Sequence, residues 1–188
     1  MKQVFYFLFL SFISVGVMSF TSVASKYVST KSHIKFFSST PAEDITANNY
    51  KAVGSLDTES GSIAFSVPMQ GFEFPKALMQ KHFNQEKFLD TKHFPKAKMT
   101  GKIINLEAID FAKNGTYNTN VSGEMTIKGK TNPFTAKGTI TVNGTELTIN
   151  SKFNITLAEY GIEFVKGKPS KNIAKTVEVT IDAVFGPQ

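Results

Sequence analysis

From about residue 97 to the C-terminus, apolar and polar residues alternate with a period of two. Leu147, Ile149, Phe153, Ile155 and Leu157 take odd positions, with Glu146, Thr148, Asn150, Lys152, Asn154 and Thr156 between them. Val177, Val179, Ile181 and Ala183 repeat the pattern beside Thr176, Glu178, Thr180 and Asp182. Val121, Met125 and Ile127 make another such face, with Gly123 among them. A helix would scatter these residues around its axis. The period predicts antiparallel strands with one dry face and one wet face. Asn143-Gly144 separates two such runs and predicts a hairpin turn. Asn114-Gly115 and Gly129-Lys130 mark further turns.

Upstream, Tyr27–Phe37, residues 61–67 and residues 71–74 read as strands. Pro75 is predicted at the first position of a short helix over about Pro75–Phe83, where its missing N–H costs nothing. The Phe-rich stretch Phe83–Phe94 has no strand period and reads as a helical turn and loop packed on one end of the sheet. Pro95 ends it before a strand over Ala97–Ile104. The count is eight or nine strands with one helix, an all-β chain. Periodicity alone leaves a sandwich and a closed barrel both open.

The N-terminus predicts an address rather than a fold. Lys2 gives a short positive region, Val4–Val17 carries no charge, and Ser22-Val23-Ala24 puts small residues at a cleavage site. This is the layout of a secretory signal peptide over residues 1–24, with a single domain over 25–188. Ser11, Ser14 and Gly16 interrupt the apolar run, which is short for a spanning helix. The expected location is periplasmic or secreted.

Composition narrows the chemistry. There is no Cys, so disulfides, thiolate metal sites and cysteine nucleophiles are excluded. The net charge is +6, yet all 21 basic residues are Lys. Without the planar Arg fork and without a dense basic run, nucleic acid is not an expected partner; contact with an anionic membrane surface would be transient at most. Pairing into a homodimer is compatible with such a chain. No nucleophile elbow, phosphate loop or His-Glu-x-x-His motif occurs. Of the three His, His82 and His93 lie eleven apart and could meet beside Glu86 or Asp90, but a metal site needs more than proximity. No cofactor, metal or catalytic residue is expected.

Phe is abundant, at 18 residues, and Phe72, Phe74, Phe83, Phe88 and Phe94 crowd one region. Composition alone favours ordinary core packing for them over the apolar mouth of a cavity.

Residues 82–101, HFNQEKFLDTKHFPKAKMTG, resemble the central signature of the YceI-like family. Residues 61–67, Thr126–Phe134 (TIKGKTNPF) and Glu159–Phe164 (EYGIEF) resemble flanking family segments in the same order. The chain departs from the family in having Tyr27–Phe37 where a Trp-containing strand is usual, and in a short stretch between Val67 and Phe83. The resemblance implies a lipocalin-like antiparallel β-barrel that holds a long-chain isoprenoid or fatty lipid along its interior. On that reading Phe65, Met99, Ile103, Met125, Ile127, Ile149 and Phe153 would line the tunnel from the strands. Phe72, Phe74, Met79, Phe83 and Phe88 would contact the lipid at the mouth, and His82 and His93 would stand at the rim near the head group. The alternative readings are an enzyme acting on such a lipid, with His82 or His93 as general base, and a filled barrel that binds a protein partner. The tunnel faces would include residues 99–103, 121–127, 140–142, 147–157 and 177–181.

Overall fold

The alternating segments form strands whose dry faces turn inward on one another. The computed structural model describes residues 25–162 and 173–188; the expected signal peptide lies outside the described residues. The strands are β1 (Lys26–Ser39), β2 (Asp44–Asn49), β3 (Val53–Asp57), β4 (Ser62–Pro68), β5 (Phe72–Glu73), β6 (Lys96–Ile103), β7 (Gly115–Ile127), β8 (Lys130–Asn143), β9 (Glu146–Thr156) and β10 (Thr176–Pro187). The sheet runs β10-β9-β8-β7-β6-β4-β3-β1, and β1 returns to pair with β10, closing an eight-stranded antiparallel barrel. The one helix, α1, spans Ala77–Asn84. Closure decides between the two architectures that periodicity left open.

β2 and β3 pair with the same edge of β1. Ile34 faces Asn49 and Val28 faces Ser55, six residues apart on both sides, so they are two halves of one strand in an unbroken register. Between them the Ser29 hydroxyl accepts the Gly54 N–H at 2.7 Å. Asn49, fully buried, accepts the Lys51 N–H at 2.8 Å and donates to the Pro68 carbonyl at 2.7 Å. Side chains thus satisfy polar backbone that the ladder leaves free.

A bulge between Ser29 and Lys31 shifts β1 by one residue against β10. Tyr27 is buried before it, and Ser32 and Ile34 after it. An extra residue switches which parity faces inward, so β1 does not show the plain alternation of the later strands.

Two expectations shift in detail. The β8–β9 turn is built on Gly144-Thr145, because Asn143 pairs with Glu146 and Gly144 takes a φ of +59°. That places glycine at the first central position, as a type II′ hairpin needs. Pro75 is not at the first helical position, since Lys76, extended at φ −118°, is the residue that precedes α1. At the β3–β4 turn, the Ser60 and Glu59 backbone N–H groups hold the Asp57 carboxyl below its usual range.

One end of the barrel is solid. Leu56, Tyr27, Val142, Leu147, Ala183 and Phe185 are all almost completely buried there. Phe185 meets Phe65 edge to face at 5.9 Å. Gly54 makes this possible: a Cβ there would stand 2.7 Å from Phe185 and 2.8 Å from Phe65.

Candidate functional site: an apolar cavity inside the barrel

Above the Phe65–Phe185 floor the barrel is hollow. The cavity measures about 830 Å3, within the usual size of small-molecule sites. Its wall is the inner parity of seven of the eight barrel strands: Ile34 and Phe36 on β1; Ile63, Phe65 and Val67 on β4; Met99 and Ile103 on β6; Val121, Met125 and Ile127 on β7; Phe134, Ala136 and Ile140 on β8; Ile149, Phe153 and Ile155 on β9; Val177, Val179 and Ile181 on β10. Thr119 and Ser151 add hydroxyls to this apolar surface, and Ser38 Oγ accepts the Ala174 N–H at 2.9 Å.

Two glycines let the wall coil tightly. Gly101 on β6 and Gly123 on β7 sit directly opposite one another with inward parity. A Cβ on Gly123 would lie 2.1 Å from the Thr100 carbonyl oxygen and 2.4 Å from Gly101 Cα. The two backbones approach so closely only because both residues lack a side chain, as a tightly coiled barrel wall requires.

The other end carries β5, α1 and an aromatic cluster. Phe83 is its hub, with ring centroids 5.0 Å from Phe74, 5.5 Å from Phe72, 5.7 Å from Phe36 and 6.0 Å from Phe88. Phe36 also meets Phe72 and Phe74. Below the helix, Thr91 donates to Asn84 Oδ1 at 2.8 Å, pinning the turn that follows α1. Glu43, His82, Gln85 and Lys87 bring polar groups to the cavity margin, with Glu43 held by Lys76 at 3.0 Å.

All twelve side chains expected from the sequence to contact a lipid line this cavity: Phe65, Phe72, Phe74, Met79, Phe83, Phe88, Met99, Ile103, Met125, Ile127, Ile149 and Phe153. His82 is also on its margin. His93 is not: its Nδ1 turns to the Asp90 carboxylate, 2.8 and 3.0 Å from the two oxygens, and its side chain is 65% exposed. Val142 and Leu147, within the expected tunnel faces, are buried in the solid end below the floor. The sequence reading missed Ile34 and Phe36 because the β1 bulge hides their parity. It missed Phe134 because Ala136 and Gly138 dilute the alternation of β8. Among the described residues no group of three His, Asp or Glu could hold a metal ion.

The fold and the cavity define a class: a lipocalin-like barrel, closed at one end, with an apolar interior. The YceI-like domain profile matches residues 24–185, and the chain belongs to this family. Solved structures agree on the fold. A polyisoprenoid binding domain from Saccharophagus degradans, implicated in plant cell wall breakdown, is 14% identical with a TM-score of 0.72, covering 88% of this chain and 99% of that one. BcnA of Burkholderia cenocepacia is 19% identical with a TM-score of 0.67, covering 81% and 95%. The YceI protein of Campylobacter jejuni is 14% identical with a TM-score of 0.57, covering 74% and 82%. No curated protein sequence matches the chain.

Proposed function

We propose that the protein is an exported, non-catalytic carrier or reservoir for a long-chain isoprenoid or fatty lipid. The observation that carries this reading is the blind, apolar cavity of about 830 Å3. Each buried CH2 contributes roughly 0.8 kcal/mol. A chain of about 16 carbons therefore offers on the order of 12 kcal/mol before ordering costs. No reactive side chain is needed for that. The apolar chain lies along the β-strand faces, and the head group stays at the margin near His82, Gln85 and Lys87. The polyisoprenoid-binding description of the Saccharophagus relative supports the same class of ligand.

A series of saturated fatty acids tests the reading by displacing a fluorescent long-chain probe. Affinity should rise with chain length, by up to about 0.8 kcal/mol per CH2, until the cavity is full. Affinity independent of length would contradict a tunnel. His82→Gln and His93→Gln should both bind within a few-fold of the parent, since Gln can still donate at the rim. Loss of binding on His93→Gln would be inconsistent with its outward position.

Export is the second element of the proposal. The interrupted apolar run and the small residues up to Ala24 favour cleavage there. Intact-mass measurement on the periplasmic fraction should find a chain lacking residues 1–24. A full-length chain in the membrane pellet would contradict it.

A further inference from the structure

The barrel wall is unzipped along part of one seam. The β7–β8 ladder runs from Gly115–Val142 to Ile127–Lys130, and the β9–β10 ladder from Leu147–Phe185 to Thr156–Thr176. Between β8 and β9, pairing begins at Asn143–Glu146 and stops at Gly138–Ser151. Beyond that rung the two strands continue toward the α1 end without pairing to each other. Among the described residues, two side-chain hydrogen bonds tie the two sides together, one at the root of the fork and one beyond the end of β9. Ser151 Oγ donates to the Lys137 carbonyl at 2.8 Å, and Asn132 Nδ2 donates to the Glu159 carbonyl at 3.0 Å. Pro133, which lacks an N–H, falls in this stretch, as suits a strand edge.

The cavity reaches this seam. Its lining includes Lys137 and Gly138 on one side of the fork and Asn150 and Ser151 on the other. Above the fork the gap is bridged by rings: Phe134 on β8 meets Phe153 on β9 edge to face at 4.8 Å. Both are only half-buried and both line the cavity. Next to the top of the slot, burial and the neighbouring Glu159 carboxylate push the Tyr160 phenol up, so it remains a neutral group beside Asn132.

We propose that the β8–β9 seam is a lateral gate, through which the apolar chain of an amphipathic lipid swings sideways into the barrel while its head stays in water. The proposal rests on the carrier reading above. End-on threading would have to pass the five-ring cluster around Phe83. Among the described residues, opening the slot takes rotation of Phe134 and Phe153 and loss of two side-chain hydrogen bonds, leaving every ladder intact. Gly138 marks the hinge: a Cβ there would stand 2.4 Å from the Asn150 carbonyl oxygen, so the strands meet tightly at the root of the fork.

Stapling tests the gate. Continued from the last rung, the register sets Thr135 opposite Asn154, both exposed on the outer face. The chain has no Cys, so Thr135→Cys/Asn154→Cys can be bridged selectively with a short bis-maleimide, leaving both rings in place. The same variant capped with N-ethylmaleimide is the reference. Thr141→Cys/Thr148→Cys, bridged across a rung already paired and away from the cavity lining, is the control. Stopped-flow loading of cis-parinaric acid should slow at least ten-fold in the bridged seam variant. Release should slow by the same factor, with equilibrium affinity within three-fold, because a gate acts in both directions. The bridged control should load like its capped form. Loading within two-fold of the capped reference would overturn the gate while leaving the carrier reading standing, as would loss of affinity without slower release. Failure of every form, the parent included, to bind the probe would overturn both.

Discussion

Gly123→Ala should lower the thermal unfolding midpoint by about 10 °C, among the largest effects expected of any one-methyl change in this barrel. The added Cβ would meet backbone on the neighbouring strand: the Thr100 oxygen at 2.1 Å and Gly101 Cα at 2.4 Å. No flexible side chain can yield there, so β6 and β7 must separate and lose rungs on both sides. Overpacking of this kind costs about 3 kcal/mol, and a domain of this size shifts by roughly 2–4 °C per kcal/mol. Gly144→Ala is the comparison. Its φ of +59° is unfavourable for alanine, but nothing lies within 4 Å of the new methyl, and the cost should be about 1 kcal/mol. Circular dichroism melts of the two variants decide the matter. Equal small shifts would mean that the paired glycines do not set the wall's curvature.

Phe83→Ala should cost still more in stability and should also weaken lipid binding. Phe83 is 6% exposed and touches four other rings. Removing such a side chain costs about 3–5 kcal/mol, because the ring's neighbours cannot collapse fully into its place. Phe83 also faces the cavity, so affinity for a long-chain probe should fall roughly ten-fold, or about 1.4 kcal/mol. Phe88→Ala separates the two effects. Phe88 is only partly buried but lines the same cavity, so its loss should weaken binding with a smaller drop in melting temperature. If both variants stay folded and bind like the parent, the mouth is elsewhere.

How much of this was legible beforehand depends on what each feature rests on. The strands from β6 to β10 read directly from residues such as Leu147 to Leu157, because a strand with one dry face writes its period into the chain. Closure did not, since it depends on Tyr27–Phe37 pairing with Glu178–Pro187 at the far end of the sequence. The β1 bulge then conceals which residues of that strand face inward. β2 and β3 are short, polar and broken at Tyr50–Ala52, so no alternation announces them in the sequence. The cavity was half legible. The inner apolar residues were visible in the pattern, but the same residues could have filled the barrel. What keeps it open is the set of small inward positions that line it, Ala97, Ala136 and Gly138, whose shared direction appears only once the strands are in register. His93 illustrates a limit of spacing alone: Asp90, at a φ of +48°, forms a turn that draws the imidazole outward to its own carboxylate.

Whether the barrel holds a long apolar chain can be read from native mass spectrometry of the purified protein, followed by solvent extraction of what it carries. The expected result is an adduct of one long-chain lipid per protein, released on denaturation and reduced in Phe83→Ala. A protein that shows no adduct, and stays free of one after incubation with an excess of isoprenoid and fatty lipids, would contradict it.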